Sequence, residues 1–163
     1  MPFRLLLKLF LVLLLFGCSD GPKEKFKSWT VYSGDPSGSK FSDLSEINKD
    51  NVGSLKLLWE LEIFDEKEYH RDGIQCNPII IADQMFIIGP DMKGHAINAK
   101  QGTINWSFDP FPGEKYSGNS RGVTYFDDGV KGRLLFVAAS TLFCIDASSG
   151  ALIPSFGTGG KVE

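Results

Sequence analysis

Basic residues are too few to give this chain a positive field. In 163 residues, 17 Lys and Arg stand against 20 Asp and Glu, for a formal charge of −3 at pH 7. That excludes the electrostatic footprint on which nucleic-acid binding depends. Cysteine is scarce, and three residues cannot build a disulfide scaffold. The two histidines, His70 and His95, lie 25 residues apart and cannot make a His-rich metal site. The unbroken apolar run Leu9–Phe16 has only eight residues, too short for a bilayer-spanning helix. No window keeps a 3.6-residue apolar period, so neither a helical bundle nor an α/β alternation is expected. What is present is glycine, 18 residues, and an aromatic content of 12%. Disordered chains lack such aromatics, so the composition points to a mildly acidic globular chain with β structure favoured.

The N-terminus reads as an address. Residues 1–17 hold 13 apolar side chains, with Arg4 and Lys8 ahead of the apolar run. That is the layout of a signal peptide. The run closes in Leu15-Phe16-Gly17-Cys18, which resembles a bacterial lipobox. Under that resemblance Cys18 becomes a lipidated mature N-terminus, and residues 18–28 form a polar tether. An ordinary cleaved signal or a short uncleaved anchor would export the chain equally well. The expected location is the periplasmic side of a bacterial membrane. Without Arg4 and Lys8 the remainder carries 15 basic and 20 acidic residues, net −5.

Beyond the tether, short apolar runs recur between Gly, Asp, Asn and Pro: Leu55–Ile63, Pro78–Ala82, Gln84–Ile88, His95–Asn98, Ile104–Phe108, Gly122–Phe126, Arg133–Ala138 and Leu142–Asp146. These read as antiparallel strands joined by hairpins. Ala82-Asp83-Gln84 and Ala147-Ser148-Ser149-Gly150 read as turns. One short helical turn is expected near Asn48–Leu55, with Asn48 capping the amides that follow.

An internal repeat sets the architecture. Ala96-Ile97-Asn98-Ala99-Lys100-Gln101-Gly102-Thr103-Ile104-Asn105-Trp106 aligns with Cys144-Ile145-Asp146-Ala147-Ser148-Ser149-Gly150-Ala151-Leu152-Ile153-Pro154 at an offset of 48. A period of 40–50 residues with several strands per unit marks a propeller blade. Asn98 and Asp146 can bond the turn amides ahead of them. Gly102 and Gly150 supply positive φ. Trp106 starts the next strand and can pack between blades with its N–H on a carbonyl. Trp59 precedes Trp106 by 47 residues and keeps the spacing, whereas Pro154 replaces the Trp of the second copy. Ala96, Asn98, Gly102, Trp106, Asp146 and Gly150 thus form a docking motif. Residues 29–163 hold two to three blades, too few to close a ring, so the chain reads as the N-terminal part of a longer protein.

The motif resembles the tryptophan-docking repeat of quinoprotein propellers. The flanking segments sharpen the likeness: Trp29-Thr30-Val31-Tyr32-Ser33-Gly34-Asp35, Lys40-Phe41-Ser42-Asp43-Leu44, Ile47-Asn48-Lys49-Asp50-Asn51-Val52, Gln75-Cys76-Asn77-Pro78-Ile79, Asn119-Ser120-Arg121-Gly122-Val123-Thr124-Tyr125 and Phe156-Gly157-Thr158-Gly159-Gly160-Lys161-Val162. Together they resemble the PQQ-dependent dehydrogenases, closest to the membrane-associated, glucose dehydrogenase-like branch. The resemblance implies an eight-bladed all-β propeller carrying PQQ and Ca²⁺. It implies oxidation of an alcohol or aldose hydroxyl, with electrons passed to ubiquinone or a cytochrome c. It places Arg121 and Gln75 against PQQ, and the catalytic base and Ca²⁺ ligands beyond residue 163.

Simpler readings stand beside these. Arg121 could pair with Asp127 or Asp128 on the surface, and Gln75 could be a polar residue at a strand start. Ser117 and Ser120 stand where several glucose-oxidising relatives have a His and a Cys, a departure from that pattern. His70 falls in a charged stretch that reads as a solvated loop. His95 reads as structural, and Cys76 and Cys144 as buried thiols or a pair. The sequon at Asn105 is discounted because a docking Trp follows it. The alternative function is a non-catalytic propeller lipoprotein that serves as an interaction scaffold at the outer membrane.

Overall fold

The computed structural model describes residues 29–65 and 73–163. The signal segment, Cys18, the tether and His70 lie outside the described residues.

The strands form two four-stranded antiparallel meanders, each in simple sequential order. The first holds β1 (Ile79–Ile81), β2 (Gln84–Ile88), β3 (Gly94–Asn98) and β4 (Thr103–Phe108). The second holds β5 (Thr124–Asp127), β6 (Gly132–Ala138), β7 (Thr141–Asp146) and β8 (Lys161–Val162). Each expected run from Pro78 onward therefore contains a strand. The β1–β2 turn is the expected one, with Ile81 opposite Gln84 and Ala82 at φ 52°.

The core lies between the sheets. Register places Phe86 opposite Ala96 and Ala96 opposite Trp106, so all three point the same way. Phe86 meets Trp106 with ring centroids 5.9 Å apart. Phe108 of β4 meets Phe136 and Phe143 of the second sheet at 5.9 and 5.6 Å. Burying each such ring contributes on the order of 1.5–3 kcal/mol. This face-to-face packing explains why one blade needs the next.

Trp106 does not open a strand, contrary to expectation. It sits inside β4, the fourth strand of its sheet. Its Nε1–H donates to the Ala147 carbonyl at 3.1 Å, and its ring covers Gly150. Trp59 does the same one unit earlier, donating to the Ala99 carbonyl at 3.0 Å and covering Gly102. Each indole therefore docks on the repeat ahead of it.

Leu55–Ile63 is not a strand, contrary to expectation. Trp59, Leu61 and Ile63 alternate inward against the first sheet while Glu60 and Glu62 face out, which is strand-like. A ladder needs a neighbouring edge, and none of the described residues supplies one. Leu57 and Leu58 stay 80% exposed. By the equivalence of Trp59 and Trp106, this segment holds a fourth-strand position.

The turn before it is a 3₁₀ turn, Val52–Ser54. Asn51 flanks it without a side-chain cap bond, and Asn48 caps the amides that follow, as expected. The Asn48 side chain accepts from the Asp50 amide at 2.9 Å, and its carbonyl accepts from Val52.

In the second sheet, Ala151–Ile153 pairs briefly with β7 and then leaves it. Pro154 has no N–H to continue that ladder. The chain returns only at Lys161–Val162, opposite Phe143 and Leu142. Cys76 and Cys144 are buried free thiols, and burial pushes both upward from the ordinary thiol range.

Candidate functional site

Antiparallel topology divides the turns between two ends of the sheets. The β2–β3 turn, the β6–β7 turn and the β4–β5 connection share one end. There they enclose an open cleft of about 510 Å³, lined among others by Met92, Asn119, Ser120, Arg121, Thr124 and Ala139. That volume falls within the range of small-molecule sites. At the opposite end a cleft of about 460 Å³ is lined by Asp83, Gln84, Asn98, Lys131 and Asp146. Its polar groups are largely engaged in the turns that form it.

The connection is fastened to the first sheet at several points. Lys93 of the β2–β3 turn places its Nζ 3.5 Å from Asp109 and 3.8 Å from Asp91. The Phe111 amide donates to the Asp109 side chain at 2.9 Å, and Phe111 stacks on Tyr116 at 4.5 Å. The Gly118 amide donates to the Pro90 carbonyl at 2.9 Å. The buried Ser120 hydroxyl donates to the Gly122 carbonyl at 3.2 Å. Val123 is buried and leads into β5.

Arg121 stands between these fastened residues with its side chain exposed and on the cleft. The surface pairs considered for it do not form. Asp128 is taken by Arg133 at 2.5 Å, and Asp127 accepts the Tyr125 hydroxyl at 3.0 Å. Arg121 makes no hydrogen bond or ion pair with any described residue. A free guanidinium on a small-molecule-sized cleft is suited to a planar, multiply charged anion. Gln75 is exposed on the segment before β1 and does not line this cleft.

The docking-motif residues lie elsewhere and hold the turns. Asn98 accepts from the amides of Lys100 and Gln101 at 3.0 Å each. Asp146 accepts from Ser148 and Ser149 at 2.7 and 3.1 Å. Gly102 and Gly150 have φ of 69° and 72°. Ala96 is fully buried beside Trp106. Burial alone would raise the Asp146 carboxyl. Bonds from Lys131, Ser148 and Ser149 outweigh burial and hold it well below the carboxylate range. His95 is buried and paired with Ser107 at 2.9 Å through Nδ1, and its Nε2 has no partner. Burial lowers its pKa; Asp91 opposes that shift and Lys93 adds to it.

No group of three His, Cys, Asp or Glu is placed to hold a metal among the described residues. One residue on the cleft was not singled out from the sequence, although Gly89-Pro90-Asp91 before it is a turn signature. Met92 has φ 62° and is buried, where Gly or Asn would be expected.

Comparison with known proteins agrees with this fold. The family described as "PQQ: Glucose/ethanol/alcohol dehydrogenase, beta-propeller domain" matches residues 29–163. The chain is 29% identical over 138 residues to an alcohol dehydrogenase (quinone), dehydrogenase subunit, of Gluconacetobacter polyoxogenes, covering 80% of this chain and 18% of that protein. It is 28% identical over 158 residues to a quinoprotein glucose dehydrogenase of Escherichia coli, covering 84% and 20%. It thus spans about a fifth of the length of either. The quinohemoprotein alcohol dehydrogenase from Comamonas testosteroni shares its fold, with a TM-score of 0.63 at 24% identity, over 76% of this chain and 18% of that one. The repeat, the two stacked four-stranded meanders and the family match lead to one conclusion: this chain belongs to the PQQ β-propeller family of glucose, ethanol and alcohol dehydrogenases.

Proposed function

We propose that this chain is the N-terminal part of a PQQ-dependent oxidoreductase. It would oxidise alcohol or aldose hydroxyl groups on the periplasmic side of a bacterial membrane and pass electrons to ubiquinone or a cytochrome c. The carrying observation is Arg121, an unpaired guanidinium held on a fastened loop at the edge of a small-molecule-sized cleft. The residues present fit PQQ, a planar tricarboxylate, because the cleft offers a guanidinium on a fastened backbone beside the neutral amide donor of Asn119. Bound PQQ would supply the redox chemistry that side chains alone do not offer.

The chain's own part is binding and orientation. Arg121 would hold a carboxylate or quinone oxygen, and Gly122 adds no side chain beside it. Gln75, outside this cleft on the segment before β1, would add an amide donor only to a part of the group that extends past the cleft. A Ca²⁺ ion belongs to the same proposal, with its ligands drawn from residues outside this chain. Export and lipidation at Cys18 would tether the enzyme to the membrane. Fatty-acid labelling of the wild type, abolished in Cys18→Ser, checks that part.

The central test titrates PQQ into the apo form of the full-length protein with Ca²⁺ in excess, read as recovered dye-reducing activity. Arg121→Ala should weaken binding about tenfold to a hundredfold, the cost of losing a charge-assisted bond. Arg121→Lys should recover only part, since an ammonium lacks the planar fork. Wild-type half-saturation in Arg121→Ala would make Arg121 a surface residue and sink the assignment.

A further inference from the structure

Met92 is the one left-handed, non-glycine residue that lines the Arg121 cleft and is also buried. Its φ of 62° lies where side-chain sterics disfavour every residue except Gly and, less strongly, Asn and Asp. Such a conformation persists only when the surroundings over-determine it, and it is a pointer to function rather than to folding alone. A glycine would make the same turn without strain, so the side chain is what the position retains.

That side chain reaches Gly118. A methyl group built on Gly118 would lie 2.4 Å from Met92 Cε. The terminal methyl of Met92 therefore fills the space a Cβ at 118 would need, and the Gly118 amide is bonded to the Pro90 carbonyl of the same turn. Pro90 and Met92 thus grip the β4–β5 connection by backbone and side chain together. Three residues further on is Arg121, whose side chain has nothing of its own to hold it.

We infer that Met92 is a positioning residue: through Gly118 it sets the backbone from which Arg121 reaches an anionic ligand. This rests on the cofactor reading above. A guanidinium fork must be placed within a fraction of an ångström to use both its donors. The clamp fixes the backbone before ligand arrives, so less ordering accompanies binding.

The test is a double-mutant cycle in the full-length apo-protein, with PQQ as the probe and dissociation constants read by titration of cofactor absorbance. Met92→Gly relieves the backbone strain and deletes the clamp. It should weaken PQQ binding by about three- to tenfold, the coupling expected between residues sharing one network. On the Arg121→Ala background the same change should cost less than about twofold. Gly118→Ala approaches from the other side by displacing the thioether, and should weaken binding similarly if Met92→Gly folds poorly.

A second readout is independent of the ligand. Trypsin cleavage after Arg121 in the apo-protein should accelerate in Met92→Gly, at a temperature where circular dichroism shows it folded. Wild-type affinity in Met92→Gly and Gly118→Ala, with Arg121→Ala impaired, would overturn the proposal. So would losses that multiply in the double variant, because a merely structural residue acts independently of Arg121. If Arg121→Ala itself binds PQQ normally, the cofactor reading fails and takes the ligand part of the inference with it. The clamp is then overturned separately by unchanged cleavage in Met92→Gly.

Discussion

The Trp106 indole donates its N–H to the Ala147 carbonyl at 3.1 Å, 41 residues ahead in the chain. Trp59 makes the matching bond to Ala99, 40 residues ahead, at 3.0 Å. The bond fixes the fourth strand of one unit against the turn of the next. It is thus a contact between units rather than within one, and the spacing of the Trp residues is the spacing of the blades.

Gly150 is the seat of that contact. A methyl there would lie 2.6 Å from the Trp106 ring, at φ 72°. Gly150→Ala therefore combines left-handed strain with overpacking and should cost about 2–4 kcal/mol. Gly129→Ala is the control, with φ 82° and open space around the added methyl. It should cost only the strain, about 1 kcal/mol. Urea unfolding midpoints measure both, and equal losses would show that the indole seat contributes nothing.

Trp106→Phe keeps much of the buried ring and removes the donor. The Ala147 carbonyl then loses its indole bond, and stability should fall by about 1–3 kcal/mol. Trp59→Phe should act alike at Ala99. A neutral result at both positions would mean that ring area alone carries the docking.

His95 makes stability sensitive to mild acid. Burial is the main reason its folded pKa lies below the ordinary value of about 6.5. The folded state thus binds fewer protons than the unfolded one as pH falls. The contribution is present above about pH 6.5 and is lost as pH drops toward and through the folded pKa. The melting temperature should fall between pH 7.5 and 5, and His95→Phe should flatten that slope. An unchanged slope in the variant would remove His95 from the account.

Much of the fold was legible because its signals are local. Alternating apolar runs bounded by turn residues located β1 through β7, and the repeat of Asn98 and Asp146 with Gly102 and Gly150 located the turns. Leu55–Ile63 was misread because hydrophobic pattern reports burial, whereas a strand also requires a partner edge. The split of the fourth strand around Pro154 was visible only as a missing Trp. At the site, Arg121 was found through a motif, but its freedom from Asp127 and Asp128 depends on where Arg133 and Tyr125 reach. Met92 was missed because Gly89-Pro90-Asp91 announces a turn whose closing position is ordinarily Gly, and a Met there hides the positive φ.

The two turn-holding residues provide an internal comparison. Asp146 and Asn98 occupy equivalent places, and each oxygen accepts two turn amides. Asp146 also pairs with Lys131 at 2.6 Å; the carboxylate is 6% exposed and the ammonium 54%. Asp146→Asn should keep the amide bonds, as Asn98 does, and lose only a partly exposed ion pair, for about 1 kcal/mol or less. Asp146→Ala loses every acceptor and leaves the amides of Ser148 and Ser149 unsatisfied, for about 2–4 kcal/mol. The pH dependence separates the two roles. The folded carboxyl lies below its unfolded value of about 3.9. Its charge therefore stabilises the fold above that pH and ceases to do so as pH falls through the folded pKa. In denaturant titrations at pH 7 and pH 3, the gap between wild type and Asp146→Asn should narrow at the lower pH, while Asp146→Ala stays destabilised at both. A gap that does not narrow would assign the whole effect of Asp146 to turn geometry and none to its charge.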